Sequence, residues 1–252
     1  MDAIYITGTA GSGKSLLASR LLKSHTDNGQ FSIILNLDPG VAKLPYEPHI
    51  DVRDYIDIRT IMETYDLGPN GSLLMASDMV ATRLEEMQEE VDGLNPDCVI
   101  VDTAGQIELF AFRTSGMYFV SNFRADNKAM IFTFDGMLVS SPINYVSVLL
   151  LASSVRLRLK TSQINVLTKR DLVIERLKSI LEWSTSITAL ESALNNEKDT
   201  LSSLLSKDLV RAAAKSGLME GLVAVSSVTT SGMINLIASL ARILRQGEDT
   251  EV

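Results

Sequence analysis

The chain has 252 residues, 46% hydrophobic and 21% charged, with a formal net charge of −8. That length allows a well-buried core, and the acidic balance disfavours nucleic-acid phosphates and anionic lipid as partners. Its single cysteine, Cys98, excludes a disulfide framework and a zinc cluster.

Met1-Asp2-Ala3-Ile4-Tyr5 lacks the basic start of a leader peptide, and the longest apolar stretch, Val146 to Ala152, is too short to cross a bilayer. A cytoplasmic protein is expected. The first strand is predicted over Ala3–Thr7. It runs into Gly8-Thr9-Ala10-Gly11-Ser12-Gly13-Lys14-Ser15, which fits G-x-x-x-x-G-K-[ST]. In such a loop the glycines let successive backbone N–H groups converge on one phosphate, and the following helix adds its positive end. Lys14 would reach the β- and γ-phosphates, and the Ser15 hydroxyl would coordinate Mg²⁺. A helix over Ser15–His25 supplies the required context.

A second strand is expected over Ser32–Leu37, ending in Asn36-Leu37-Asp38-Pro39, where Asp38 would lie on the γ-phosphate side. Pro39 to Leu73 carries four prolines and accommodates only short helical pieces, and so long an insertion is usually functional. Gly68-Pro69-Asn70-Gly71 reads locally as a turn. A helix is expected over Met79–Val91 and a strand over Asp97–Val101. Asp102-Thr103-Ala104-Gly105-Gln106 follows that strand. A carboxylate there suits an Mg²⁺ shell, the Gly105 N–H can donate to a γ-phosphate, and the Gln106 amide can hold a water in line.

Further strands are expected over Ala129–Phe134, Gln163–Leu167 and Leu222–Val225, with helices over Pro142–Leu157 and Ser231–Leu244. After Gln163–Leu167 comes Thr168-Lys169-Arg170-Asp171, in the place where guanine is read by N-K-x-D. A carboxylate at Asp171 pairs with guanine N1–H and its 2-amino group together, and adenine offers neither. The Lys169 stem can lie on the base plane, and Thr168 replaces the usual Asn. Ser226, at the end of the last strand, would bring a backbone N–H to the guanine 6-oxo group. Arg156, Arg158 and Lys160 read as a solvated basic edge, and Arg53 and Arg113 as arginines near motifs. His25 and His49 have no metal-ligand spacing.

The expectation is one α/β domain over residues 1–252. It has a P-loop NTPase fold, with a mostly parallel sheet flanked by helices, an insertion over about 39–73 and a helical elaboration over about 175–217. Gln246–Val252 reads as a polar tail.

Taken together, these residues resemble the GPN-loop GTPases. The resemblance rests on the P-loop, on Asn36–Pro39 followed by Leu44-Pro45-Tyr46, and on Ile50-Asp51-Val52-Arg53-Asp54. It extends to Gly68-Pro69-Asn70-Gly71 and to Asp102 through Phe110. It implies a single-copy member of archaeal type that binds GTP and GDP with Mg²⁺, the metal held through Ser15 and Asp102. It implies hydrolysis by a homodimer in which Gly68, Pro69 and Asn70 enter the other subunit's site. Asp38, Gln106, Glu108 and Asn70 would then be the catalytic set. A switch or assembly role follows by analogy, since eukaryotic members are linked to RNA polymerase assembly; neither membrane nor nucleic acid is expected as a partner. An ATP-dependent phosphotransferase and a non-hydrolysing nucleotide-binding module are the alternatives.

Overall fold

The structure is a computed structural model and describes residues 1–197 and 200–246. The tail expected over Gln246–Val252 therefore lies, beyond Gln246, outside the described residues.

The strands are β1 (Asp2–Gly8), β2 (Ser32–Asn36), β3 (Ile50–Asp51), β4 (Cys98–Asp102), β5 (Asn127–Asp135), β6 (Ser162–Thr168) and β7 (Val223–Ala224). They form one sheet in the order β3-β2-β4-β1-β5-β6-β7, with every pairing parallel. Parallel strands need crossovers that place helices on both faces, so both faces are buried. Side chains alternate accordingly. Tyr5, Leu35, Val101, Phe132 and Phe134 belong to one core, whereas Ile4, Ile6, Ile34, Ile100 and Ile131 belong to the other. The second core is closed by α1 (Lys14–Asp27) and α11 (Met233–Gln246), through Leu17 and Leu21 and through Leu236 and Leu240.

The other helices are α2 (Val52–Tyr55), α3 (Ile58–Tyr65), α4 (Pro69–Met79), α5 (Leu84–Leu94), α6 (Thr114–Asn122), α7 (Pro142–Leu159), α8 (Ile174–Thr185), α9 (Ile187–Asn195) and α10 (Thr200–Lys215). The insertion after β2 thus contains β3, α2, α3 and the start of α4. The helix expected over Met79–Val91 is instead the end of α4, a 3-10 turn over Val80–Arg83, and α5. Helices α8 to α10 make up the helical elaboration, where Trp183 packs edge-on against Tyr145 of α7 at 6.0 Å. Among the described residues no helix is long and apolar enough to cross a membrane.

β1 is central, between β4 and β5; the connection after β1 leads to β2 on one side, whereas that after β5 leads to β6 on the other. In open α/β sheets the crevice beyond the strand ends at such a point is where ligands bind. Gly8, Asp102, Asp135 and Thr168 all stand at that end of the sheet.

Candidate nucleotide-binding site

Between β1 and α1 the chain curls through Thr9–Gly13, with Gly11 and Gly13 in left-handed conformations at φ 73° and 88°. Side chains rarely adopt that conformation, and alternating it with right-handed residues turns N–H groups inward. α1 has neither a side-chain cap nor an acidic residue in its first turn, so its N-terminal donors are open to an anion. Gly8 is needed for space, because a Cβ there would lie 2.0 Å from Thr133 Oγ1.

The loop is held from below by two buried threonines. Thr133 Oγ1 of β5 lies 2.6 Å from Ser12 Oγ and donates to the Thr7 carbonyl at 3.0 Å. Thr168 Oγ1 of β6 donates to the Ser12 carbonyl at 2.7 Å. Thr168 is therefore a tether between the base-reading segment and the phosphate loop.

Lys14 is buried, and its Nζ donates to the carbonyls of Gly8 (3.2 Å), Thr9 (3.1 Å) and Gly105 (2.9 Å). Burial pulls the ammonium pKa down, and the nearby Asp102 and Asp38 carboxylates oppose that pull. Three neutral carbonyls are what a polyphosphate would replace.

Asp102, 1% exposed, ends β4. Its Oδ2 accepts from the Tyr46 hydroxyl at 2.6 Å, while Oδ1 is buried with no hydrogen-bond partner. Burial pushes this carboxyl up, against the Tyr46 and Ser15 hydroxyls and the charge of Lys14. An orphaned carboxylate oxygen beside a serine hydroxyl fits a hard cation. Among the described residues there is no cluster of three or more metal-ligating side chains. One carboxylate oxygen and one hydroxyl suit Mg²⁺, which keeps waters and phosphate oxygens in the rest of its shell.

Asp38 leaves β2 toward the same point. Asn36 positions it, with Oδ1 accepting the Asp38 N–H at 3.1 Å and Nδ2 donating to Asp51 Oδ1 at 2.9 Å. The Asp38 carboxylate then accepts the Gly105 N–H at 2.8 Å through Oδ2 and the Gly40 N–H at 2.9 Å through Oδ1. Both groups of the Gly105 residue are thus occupied, the N–H by Asp38 and the carbonyl by Lys14. Gln106 and Glu108 follow this residue, exposed and without side-chain hydrogen bonds among the described residues. Arg53 is bound to Asp51 and to the Val41 carbonyl, and Arg113 to Asp78, so neither arginine is free near the P-loop. Burial pushes the Asp51 carboxyl up, but the hydrogen bonds from Arg53 and Asn36 outweigh it and leave the pKa below the ordinary carboxylate range.

At the base end, Lys169 is left-handed (φ 55°) and its Nζ pairs with Asp135 Oδ2 at 2.7 Å. Asp171 sits in a 3-10 turn, half-buried, and its carboxylate has no hydrogen bond among the described residues. Ser226 departs from expectation. Its N–H already donates to the Ser231 carbonyl at 3.0 Å, and its Oγ accepts from the Val228 and Thr229 N–H groups. The Gly68-Pro69-Asn70-Gly71 segment departs as well. It is no free-standing turn but the first turn of α4, with Gly68 as N-cap and Pro69 at the first helical position. Gly68, Pro69 and Asn70 are exposed, and no hydrogen bond joins them to the P-loop among the described residues.

A model of a family described as conserved hypothetical ATP binding proteins matches residues 6–246. GPN-loop GTPase 1 of Dictyostelium discoideum is 31% identical over 235 residues, which is 91% of this chain and 58% of that protein. GPN-loop GTPase 1 of Saccharomyces cerevisiae is 30% identical over 203 residues, 79% of this chain and 52% of its own. The chain belongs to the GPN-loop GTPase family. It spans little more than half the length of these curated relatives. The fold is similar to the apo form of a GTPase from Pyrococcus abyssi, with a TM-score of 0.84, 27% identity and 96% of each chain covered.

In this chain the sequence motifs converge on one end of the sheet, apart from the segment that names the family. Sequence reasoning missed Thr133, which lies in an ordinary strand, and the function of Tyr46, which stands 56 residues from the aspartate it touches. Arg158 is not a solvated edge residue either. It donates to the Ala111 and Phe112 carbonyls and lies over the Phe112 ring at 5.2 Å, bracing the chain beyond Glu108.

Proposed function

We propose that the protein binds GTP with Mg²⁺ and hydrolyses it to GDP and phosphate as a homodimer, switching conformation through the Asp38 segment. The observation that carries this reading is the doubly held Gly105 residue. A γ-phosphate needs the donor that Asp38 now holds and the ammonium that Gly105 now shares. A triphosphate therefore competes with Asp38 for the Gly105 N–H, whereas a diphosphate leaves that contact intact. Released, Asp38 joins Gln106 and Glu108 as a group able to orient a water.

The Thr9–Gly13 loop and the α1 N-terminus wrap the phosphates, and Lys14 offsets their charge. Ser15 and Asp102 would hold Mg²⁺, which when bound would supply positive charge to the phosphate oxygens. Neither arginine near the motifs offers a free guanidinium, because Arg53 and Arg113 are paired. The exposed first turn of α4 offers Asn70 and the Gly71 N–H in its place, as donors from a second subunit. Asp171 reads guanine and the Lys169 stem covers the base. Since the Ser226 N–H is occupied, the N–H directed at the 6-oxo group is assigned to Ser227 instead.

ATP is the second reading, because the matching family is described by ATP binding and Thr168 lacks the amide of the guanine motif. The unpartnered Asp171 carboxylate favours GTP. Single-turnover hydrolysis by purified protein, with Lys14→Ala and a Mg²⁺-free sample as controls, tests the activity. Mg²⁺-dependent release of phosphate from GTP that Lys14→Ala abolishes is expected. Equal release by Lys14→Ala, or none by the wild type, would overturn the reading.

A further inference from the structure

Residues 37–49 form a loop that leaves the sheet at the end of β2 and returns beside it. Its start is tied by the Leu37 N–H to the Asp102 carbonyl at 2.8 Å, and its end by the His49 N–H to the Ile34 carbonyl at 3.0 Å. Between them Tyr46 turns inward. Its ring packs against the core that contains Ile4, Ile6, Leu17 and Ala18, and its hydroxyl reaches Asp102 Oδ2 at 2.6 Å. That is the length of a charge-assisted O–H···O⁻ bond. The Tyr46 hydroxyl donates in this bond and the carboxylate accepts.

A buried carboxylate has two oxygens to satisfy. One metal contact, direct or through water, satisfies one of them, and the other costs free energy unless a donor meets it. Here the division is already made, with Oδ2 taken by Tyr46 and Oδ1 left without a partner. From this geometry we infer that Tyr46 is a positioning residue for the metal, fixing the Asp102 carboxylate so that Oδ1 alone faces the cation. Because Tyr46 lies in the 37–49 loop, the same contact couples metal occupancy to the placement of that loop. A ligand that favours one arrangement is favoured by it in return. The inference rests on the proposed Mg²⁺ site and assigns a role to a side chain outside the ligand set.

Tyr46→Phe removes the hydroxyl and keeps the ring in its core contact. The test follows the release of a fluorescent GDP analogue while MgCl2 is titrated, and then trypsin cleavage after the exposed Lys43. In the wild type, Mg²⁺ should slow nucleotide release and protect the Lys43 bond. In Tyr46→Phe the half-saturating Mg²⁺ concentration should rise about tenfold or more, the size of effect seen when a partner behind a metal ligand is lost. Protection at Lys43 should then require correspondingly more Mg²⁺, while Mg²⁺-free nucleotide affinity stays within about twofold of wild type, as expected where ring packing is kept. A purely structural role for Tyr46 would instead weaken Mg²⁺-free binding and leave the Mg²⁺ midpoint unchanged, and that result would overturn the inference. A wild type that responds to Mg²⁺ beside a variant with the same midpoint removes the role of Tyr46 alone. A wild type indifferent to Mg²⁺ removes the metal site and this inference together. Should Tyr46→Phe not fold, Tyr46→Leu, which keeps an apolar side chain and has no donor for Oδ2, must show the same Mg²⁺ shift.

Discussion

Replacing Asp38 by alanine should do two opposite things. The carboxylate accepts the Gly105 N–H at 2.8 Å and the Gly40 N–H at 2.9 Å. A hydrogen bond to a charged group is worth about 1.5–3 kcal/mol, and Asp38 is half-exposed, so about 1–2 kcal/mol is a fair figure after solvent screening. Triphosphate binding has to break the Gly105 contact; diphosphate binding does not. Asp38→Ala should therefore raise triphosphate affinity relative to diphosphate by about 5- to 30-fold, at 1.4 kcal/mol per tenfold. Hydrolysis should fall by roughly 10²–10³, the scale of losing one preorganised group. Losing a negative charge near the γ-phosphate acts in the same direction as losing the contact, and Asp38→Asn separates the two. Its amide oxygen can still accept the Gly105 N–H, so a pure charge effect would give Asn and Ala the same ratio, whereas the contact predicts a smaller change for Asn. Equilibrium titration with fluorescent GDP and a non-hydrolysable GTP analogue reads the ratio. An unchanged ratio in Asp38→Ala, or one moved toward GDP, would refute the competition between Asp38 and the γ-phosphate.

Thr168→Val removes the hydroxyl that ties β6 to the Ser12 carbonyl; stability should drop by about 1–3 kcal/mol in denaturant unfolding, and GDP and GTP should weaken alike. His25 is held neutral by burial, only partly opposed by Asp2, with Nδ1 2.8 Å from Ser32 Oγ, and His49 is shifted down in the same direction. Below the ordinary histidine pKa of about 6.5 the unfolded chain binds more protons than the folded one, so stability is full above that pH and declines as the pH falls toward the folded value. The loss of denaturation midpoint between about pH 7.5 and 5.5, a window that straddles the ordinary histidine pKa, should be smaller in His25→Gln than in wild type. Asn70→Ala should cut hydrolysis by roughly 10²–10³ while leaving GDP affinity unchanged. Mixed with Lys14→Ala protein it should regain part of its activity, since each heterodimer holds one intact P-loop facing one intact α4 N-terminus. No regain in proven heterodimers would count against action between subunits.

The phosphate loop was legible because its chemistry is contiguous, eight residues set between an apolar strand and an apolar helix. Asp102 and Asp171 were legible for a related reason, since each directly follows or closely trails a strand that the hydrophobic pattern marks. What stayed hidden depends on distance along the chain. Thr168 reaches a carbonyl 156 residues away, and Tyr46 a carboxylate 56 residues away. No local pattern encodes either. The Gly68–Gly71 segment was misread for another reason. Proline presets the same φ at the start of a helix as in a turn, and only the packing of α4 on α3 and α6 decides between them. β3 has two residues, too few for any periodicity, yet its pairing with β2 places Asp51 against Asn36 and so helps to position Asp38. The sequence shows the charge of Arg53, Arg113 and Arg158 without their partners, which are Asp51, Asp78 and the Phe112 ring.

The most direct test of guanine-specific hydrolysis is competition of GTP against ATP in single turnover, in wild type and in Asp171→Asn. Losing the paired contact to guanine costs about 2–4 kcal/mol, so wild-type protein should prefer GTP by about 30- to 700-fold. Asp171→Asn should lose that preference and accept xanthosine triphosphate, whose 2-oxo group meets an amide donor. Equal use of ATP and GTP by the wild type, or a GTP preference that survives Asp171→Asn, would contradict the account.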